Sequence, residues 1–205
     1  MSIVGCDMDG TLYDEAEFIA QVYWPIAEML AITARVEPKA LYSWTFQRWF
    51  EKGSSYPNIF SEAIAGLGMN DNDASTVIRR SLQVFRGFQP ELTLPSRVRA
   101  TLDALQAEYR LFLITDSSAV LQKNKFDFLV LIQWFAWPNV GISGCYGSDF
   151  CKPSTRILRK IELLDGRCSP SQVVFFGDRQ VNAQFAINAG FQFAHVACMH
   201  PISEG

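Results

Sequence analysis

Ser2-Ile3-Val4-Gly5-Cys6-Asp7-Met8-Asp9-Gly10-Thr11 is the stretch from which the rest of this chain is read. Ser2 to Cys6 is small and apolar, long enough for a buried strand and too short for a helix. Asp7 and Asp9 follow at its end, two residues apart, and strand alternation would put their side chains on one side. Gly10 lets the chain turn away. Two same-side carboxylates repel unless a cation neutralises them or one keeps its proton. The pair therefore suits a hard dication such as Mg2+ and a carboxylate nucleophile better than it suits a core. A calcium loop would need Glu at the twelfth position from Asp7, which is Phe18. A plain acidic turn is the remaining alternative for this motif alone.

Working outward, four further segments read as buried strands: Arg110 to Thr115, Val140 to Ser143, Gln172 to Gly177 and Phe191 to Ala197. Continuous apolar runs of this kind suit a parallel sheet covered on both faces. Helical patterns separate them over Pro95 to Tyr109, Ser118 to Leu131, Pro153 to Leu164 and Gln180 to Ala189, the last closed by Gly190. Alternation of strand and helix predicts an α/β fold, a doubly wound parallel sheet. From about Tyr13 to Phe88 the alternation stops. Helices are expected there at Glu15 to Arg35 (bent or interrupted at Pro25), Pro38 to Lys52, Asn58 to Leu67 and Asp73 to Arg86. That is too long for an ordinary crossover and reads as an inserted helical cap. The expected division is 1–13 with 89–205 as the α/β core and 14–88 as the cap.

Bulk properties narrow the function classes. The chain has 205 residues, 49% apolar and 19% charged, enough to bury a core. A net charge of -3 speaks against a nucleic-acid or membrane-surface binder. No long apolar run or basic leader suggests a membrane span or a secretory signal. The five cysteines, Cys6, Cys145, Cys151, Cys168 and Cys198, include no C-x-x-C pair and read as reduced, mostly buried thiols of a cytoplasmic protein.

In a doubly wound sheet, function collects beyond the carboxyl ends of the strands. Strand one ends at Asp7 and Asp9, and strand two in Thr115-Asp116-Ser117. The third is followed by Cys151-Lys152-Pro153-Ser154, and the fourth ends in Gly177-Asp178 with Asn182 one helical turn on. Each has a bland alternative: Thr115-Asp116-Ser117 as a helix cap, Lys152 as a solvated lysine, Gly177-Asp178 as a helix-initiating turn. Their joint placement at successive strand ends is what those alternatives leave unexplained.

These motifs, in this order, resemble the haloacid dehalogenase superfamily over essentially the whole chain, and the insert resembles its helical-cap class. Thr11-Leu12-Tyr13-Asp14 and Gln122 with Lys125 are most similar to the branch of pyrimidine nucleotidases and N-acylneuraminate-9-phosphatases. The resemblance implies Asp7 as the nucleophile that forms an aspartyl-phosphate and Asp9 as general acid and base. It implies Thr115, Asp116 and Lys152 as the phosphoryl-binding groups. Asp7, Asp178 and the backbone carbonyl of Asp9 become the Mg2+ ligands, supported by Asn182. Dehalogenases of the family lack an acid at the position of Asp9, so its presence points to phosphoryl transfer.

Two positions depart from the family pattern. Asn182 stands where many relatives carry a second acid, and Arg179 where a small residue is common, an arginine that would contact substrate or form a surface ion pair. Tyr42, Phe46, Trp49 and Phe50 fall at helical spacing and read as a stripe facing a core, whereas Tyr23 and Trp24 beside Pro25 are the better pocket candidates. Ser154, His195 and His200 carry no assigned role. The expectation is a cytoplasmic, Mg2+-dependent phosphomonoester hydrolase, monomer or homodimer, acting on a small phosphorylated metabolite (nucleotide or sugar phosphate). The rivals are a helical-cap phosphomutase and a non-catalytic binding protein on the same scaffold.

Overall fold

The computed structural model describes residues 3–54, 56–67, 71–166 and 168–196; Cys198 and His200 lie outside them. The chain divides into two compact units, Met1–Glu15 with Glu91–Gly205, and Ala16–Pro90.

The first unit is built on a parallel sheet of β1 (Ile3–Cys6), β2 (Arg110–Thr115), β3 (Val140–Ile142), β4 (Val173–Gly177) and β5 (Gln192–His195). Their order is β3-β2-β1-β4-β5, so β1 sits at the centre. The register pairs Cys6 with Leu113 on one side and with Phe176 on the other. The carboxyl ends of β1, β2 and β4 therefore lie side by side. β1 ends at Cys6, although the Asp7 amide still donates to the Phe176 carbonyl at 2.9 Å. Asp7 to Asp9 consequently belong to a turn, and strand alternation does not govern their side chains.

Helices α5 (Ser96–Glu108), α6 (Ala119–Phe128) and α7 (Gln180–Ala189) complete this unit; α1 to α4 precede them. One face of the sheet packs Phe112, Phe175 and Phe185 in sequence, with ring centroids 6.1 and 5.0 Å apart, together with Ile157 and Ile161. The helix expected over Pro153 to Leu164 is absent. In its place 3-10 turns run over Thr155–Lys160 and Glu162–Leu164, bonded three residues back, as from the Ile161 amide to the Leu158 carbonyl. Over so few residues, periods of 3.0 and 3.6 bury nearly the same side chains, and the apolar pattern does not separate them. β5 is an edge strand, exposed or half-buried along its length, where the apolar run predicted a buried one. Among the described cysteines only Cys6 is buried; burial and the neighbouring Asp7 charge push its thiol up to about 12, which keeps it inert.

The second unit holds α1 from Ala16 onward (Glu15–Ala34), α2 (Pro38–Lys52), α3 (Ile59–Ala65) and α4 (Asp71–Gly87). α1 runs through Pro25 without the interruption allowed for there. Val22, Tyr23, Ile26 and Ala27 are buried around the proline and hold the helix together. Tyr23 is core, packed on Phe60 and Phe85 at 5.7 and 6.4 Å, and is not a pocket residue. The α2 stripe is the opposite case. Tyr42, Phe46 and Trp49 are half-buried and Phe50 is 63% exposed, while Leu41 and Thr45 are the buried residues of that helix. Among the described residues, no helix is long and apolar enough to cross a membrane.

Candidate active site

Each of the two leading carboxylates has its own buried lysine. Lys152 Nζ lies 2.7 Å from Asp7 Oδ1, and Lys125 Nζ 2.6 Å from Asp9 Oδ1. The repulsion anticipated from sequence is thus met by protein cations. Asp7 is 1% exposed, and its carboxylate accepts from the Met8 amide and Lys152 at Oδ1 and from Asn182 Nδ2 at Oδ2, 2.8 Å away.

Asp9 is clamped. The Tyr13 hydroxyl and Lys125 donate to Oδ1, and Gln122 Nε2 donates to Oδ2 at 2.9 Å. Burial alone would raise its carboxyl. The Lys125 charge and the hydrogen bonds from Lys125, Tyr13 and Gln122 outweigh burial and hold it below the usual carboxylate range. The Tyr13 phenol is pushed well up, by burial first and then by the Asp9 and Glu15 charges. Tyr13, Gln122 and Lys125 were not singled out as site residues by sequence. The available signal was Gln122 and Lys125 at i and i+3 on α6, two polar side chains on the face that also buries Leu121 and Phe126.

At the end of β2, the Thr115 hydroxyl is buried and bonds to nothing. An unpaired buried hydroxyl is costly and marks a position held for a ligand. The Asp116 carboxylate turns back to the Lys152 amide at 3.2 and 3.3 Å, and Gln122 Nε2 caps the Asp116 carbonyl at 2.7 Å. Asp116 therefore fastens the Lys152 loop to the β2 end; burial raises its carboxyl in spite of the Lys152 charge. The helix cap considered for Thr115-Asp116-Ser117 falls one residue later, where Ser118 accepts from the Leu121 amide. Lys152 is no solvated lysine: its side chain is 0% exposed and also donates to the Ile114 carbonyl at 3.2 Å.

Asp178 completes the arrangement at the end of β4. Its Oδ1 accepts from Asn182 Nδ2 at 3.1 Å and from the Thr11 hydroxyl at 3.4 Å. Close backbone approach is needed on both sides of it. Gly10 has φ +73°, and a Cβ there would stand 2.2 Å from Asp178 Oδ2. A Cβ on Gly177 would meet the Asn182 side chain at 2.5 to 2.7 Å. Gly177→Ala is accordingly expected to displace Asn182 from both aspartates, costing ~1–3 kcal/mol in urea unfolding and lowering turnover together. His195 is spent on the Asp178 carbonyl, 3.0 Å away.

The oxygen donors here fit a hard dication. Asp7 and Asp178 both accept from the Asn182 side-chain amide. Asn182 Oδ1 is a buried acceptor without a partner, fit to receive a metal-bound water. Burial, with the Asp7 charge, raises the Asp178 carboxyl against the opposing Arg179 charge. Among the described residues, no three His, Cys, Asp or Glu side chains converge, so a cation would lean on backbone oxygen and water as well. An apolar cavity of about 190 Å³, lined by Cys6, Thr11, Leu102, Leu105 and Phe176 among others, includes none of these carboxylates.

Known proteins share this fold. The family model described as haloacid dehalogenase-like hydrolase matches residues 1–190. No curated protein sequence matches the chain. Among solved structures, a Thermotoga maritima protein assigned as a β-phosphoglucomutase aligns with TM-score 0.67 and 22% identity, over 100% of this chain and 88% of its own. A subfamily IA hydrolase of the superfamily from Geobacter sulfurreducens aligns with TM-score 0.71 and 19% identity, over 95% and 86%. A Lactobacillus plantarum protein assigned as a phosphoglycolate phosphatase gives 0.61 and 17%, over 98% and 89%. At these identities the likeness is one of fold.

Proposed function

The chain belongs to the haloacid dehalogenase-like hydrolases, and we propose that it is a Mg2+-dependent phosphatase that hydrolyses phosphomonoesters through an aspartyl-phosphate on Asp7. The observation that carries this reading is the buried Asp7 carboxylate, held by Lys152 on one oxygen and Asn182 on the other, beside a β2 end whose Thr115 hydroxyl has no partner. The substrate is a small phosphorylated metabolite, a nucleotide or a sugar phosphate.

In this mechanism an Asp7 oxygen bonds to phosphorus as the bond from phosphorus to the leaving oxygen breaks. Thr115 and Lys152 donate to the phosphoryl oxygens and offset the charge that grows on them. The departing alkoxide takes its proton from Asp9. Asp9 enters this step carrying a proton taken up from solvent and is left ionised beside Lys125 once the alkoxide has received it. Water then attacks the aspartyl-phosphate, the ionised Asp9 removes its proton, and inorganic phosphate leaves with Asp7 regenerated. Asp7, Asp178 and the backbone carbonyl of Asp9 would hold Mg2+, which when bound supplies positive charge for the phosphoryl group.

The test is phosphate release from a panel of phosphorylated metabolites with and without Mg2+. Release that requires Mg2+ supports the reading, and the preferred compounds name the substrate class. Turnover only with a bisphosphate primer would identify a phosphomutase instead. No release from any compound by folded protein would favour a binding role. Lys152→Ala is expected to lower kcat by about 10²-fold or more, because one phosphoryl-oxygen donor of this kind contributes roughly that much. Near-normal kinetics would remove Lys152 from the mechanism.

A further inference from the structure

Arg179 stands against the nucleophile without bonding to it. Its Nη2 lies 3.9 Å from Asp7 Oδ2 and its Nε 3.7 Å from Asp178 Oδ1, both beyond hydrogen-bond reach. The Nε is buried and has no hydrogen-bond partner. These are the two carboxylates of the proposed Mg2+ set, and Asn182, which links them at 2.8 and 3.1 Å, adds no charge. We infer that Arg179 is a resident counter-charge that opposes Mg2+ binding until a phosphoryl anion draws its guanidinium away, so that metal and phosphate bind cooperatively. The inference rests on the Mg2+-dependent reading above.

Charge balance carries the argument. Two carboxylates, Asp7 and Asp178, are met by two cations, Lys152 at 2.7 Å and Arg179. A dication entering at those two carboxylates adds to the positive charge that Arg179 already brings to both, an excess of like charge around the guanidinium. A phosphoryl dianion removes the excess, and its oxygens match the guanidinium fork in a way that two half-engaged carboxylates do not. The side chain is 31% exposed, so it has an open flank toward which to turn. Two ligands that each relieve the other's penalty are coupled reciprocally.

The experiment is calorimetric titration of Mg2+ into the full chain, free of phosphate, and again with saturating inorganic phosphate. Wild type is expected to bind Mg2+ weakly alone and on the order of tenfold more tightly with phosphate. Arg179→Gln should bind Mg2+ alone on the order of tenfold more tightly than wild type and gain little from phosphate. Arg179→Lys keeps the charge and should stay near wild type. Equal or weaker Mg2+ binding by a folded Arg179→Gln would overturn the inference, while Mg2+ binding abolished by Asp178→Asn would keep the metal site itself. If no variant binds Mg2+, or Asp178→Asn binds it as wild type does, the metal reading falls and takes this inference with it.

Discussion

Asp7→Asn is expected to abolish phosphate release, by about 10⁴-fold or more, while the protein still unfolds cooperatively. Asparagine is nearly isosteric, so a site that is 1% exposed gains no cavity. Its carbonyl can still accept from the Met8 amide and from Lys152, which occupy one oxygen of the aspartate. The other position becomes a donor and faces Asn182 Nδ2, which now donates to Asp7 at 2.8 Å. A flip of Asn182 would turn its unpartnered Oδ1 toward that donor, at the expense of the bond to Asp178. The fold is thus spared and the nucleophile is lost. Initial rates of phosphate release, paired with urea unfolding of the same preparation, check both halves. Turnover within tenfold of wild type, free of contaminating phosphatase, would mean that Asp7 does not attack phosphorus.

The second large effect is on stability. Lys125→Met is expected to cost ~3–5 kcal/mol at neutral pH, because it leaves Asp9 buried without its counter-charge. Stabilities of 5–15 kcal/mol are usual, roughly, so this is a large share. The sign follows from the native carboxyl. Asp9 is held below the usual carboxylate range, so it contributes stability above its unfolded value, and that contribution is lost as pH falls through the native one. Without Lys125, burial dominates and the Asp9 carboxyl rises. The gap between variant and wild type should therefore be widest near neutral pH and narrow in acid, where Asp9 takes up a proton. Urea midpoints at pH 7.5 and pH 5 measure it. Equal gaps at both would show that Lys125 stabilises by packing alone. Lys125→Met with Asp9→Asn should recover part of the loss, since the second change removes the stranded charge.

Much of the scaffold was legible because local chemistry and burial agreed. Pro38–Lys52 and Gln180–Ala189 are helices with the bounds expected, the first opened by its proline and the second closed by Gly190 at φ 72°. The five strands follow from apolar runs, and their parallel order gives β1 the centre. The errors fall where pattern and geometry part company. Thr155–Lys160 keeps a helical apolar pattern in 3-10 turns. Tyr23 is buried while the α2 stripe is half-buried to exposed, because spacing says that residues share a face but not which face finds a partner.

At the site, sequence alone proposed a roster and its approximate places: Asp7 and Asp9 follow β1, Thr115 and Asp116 lie at the end of β2, Lys152 lies in the segment after β3, and Asp178 and Asn182 lie after β4 and on α7. Residue type and strand position suffice for that, since parallel strands carry their carboxyl ends to one edge. The pairing within the roster was decided only by tertiary structure. Lys152 goes to Asp7 and Lys125 to Asp9, Asn182 bridges Asp7 and Asp178, and Arg179 stops short of both. These contacts join residues as far as 175 positions apart. Their physical basis is the cost of burying a charge, which obliges each carboxylate to take whichever donor the packed chain brings within reach.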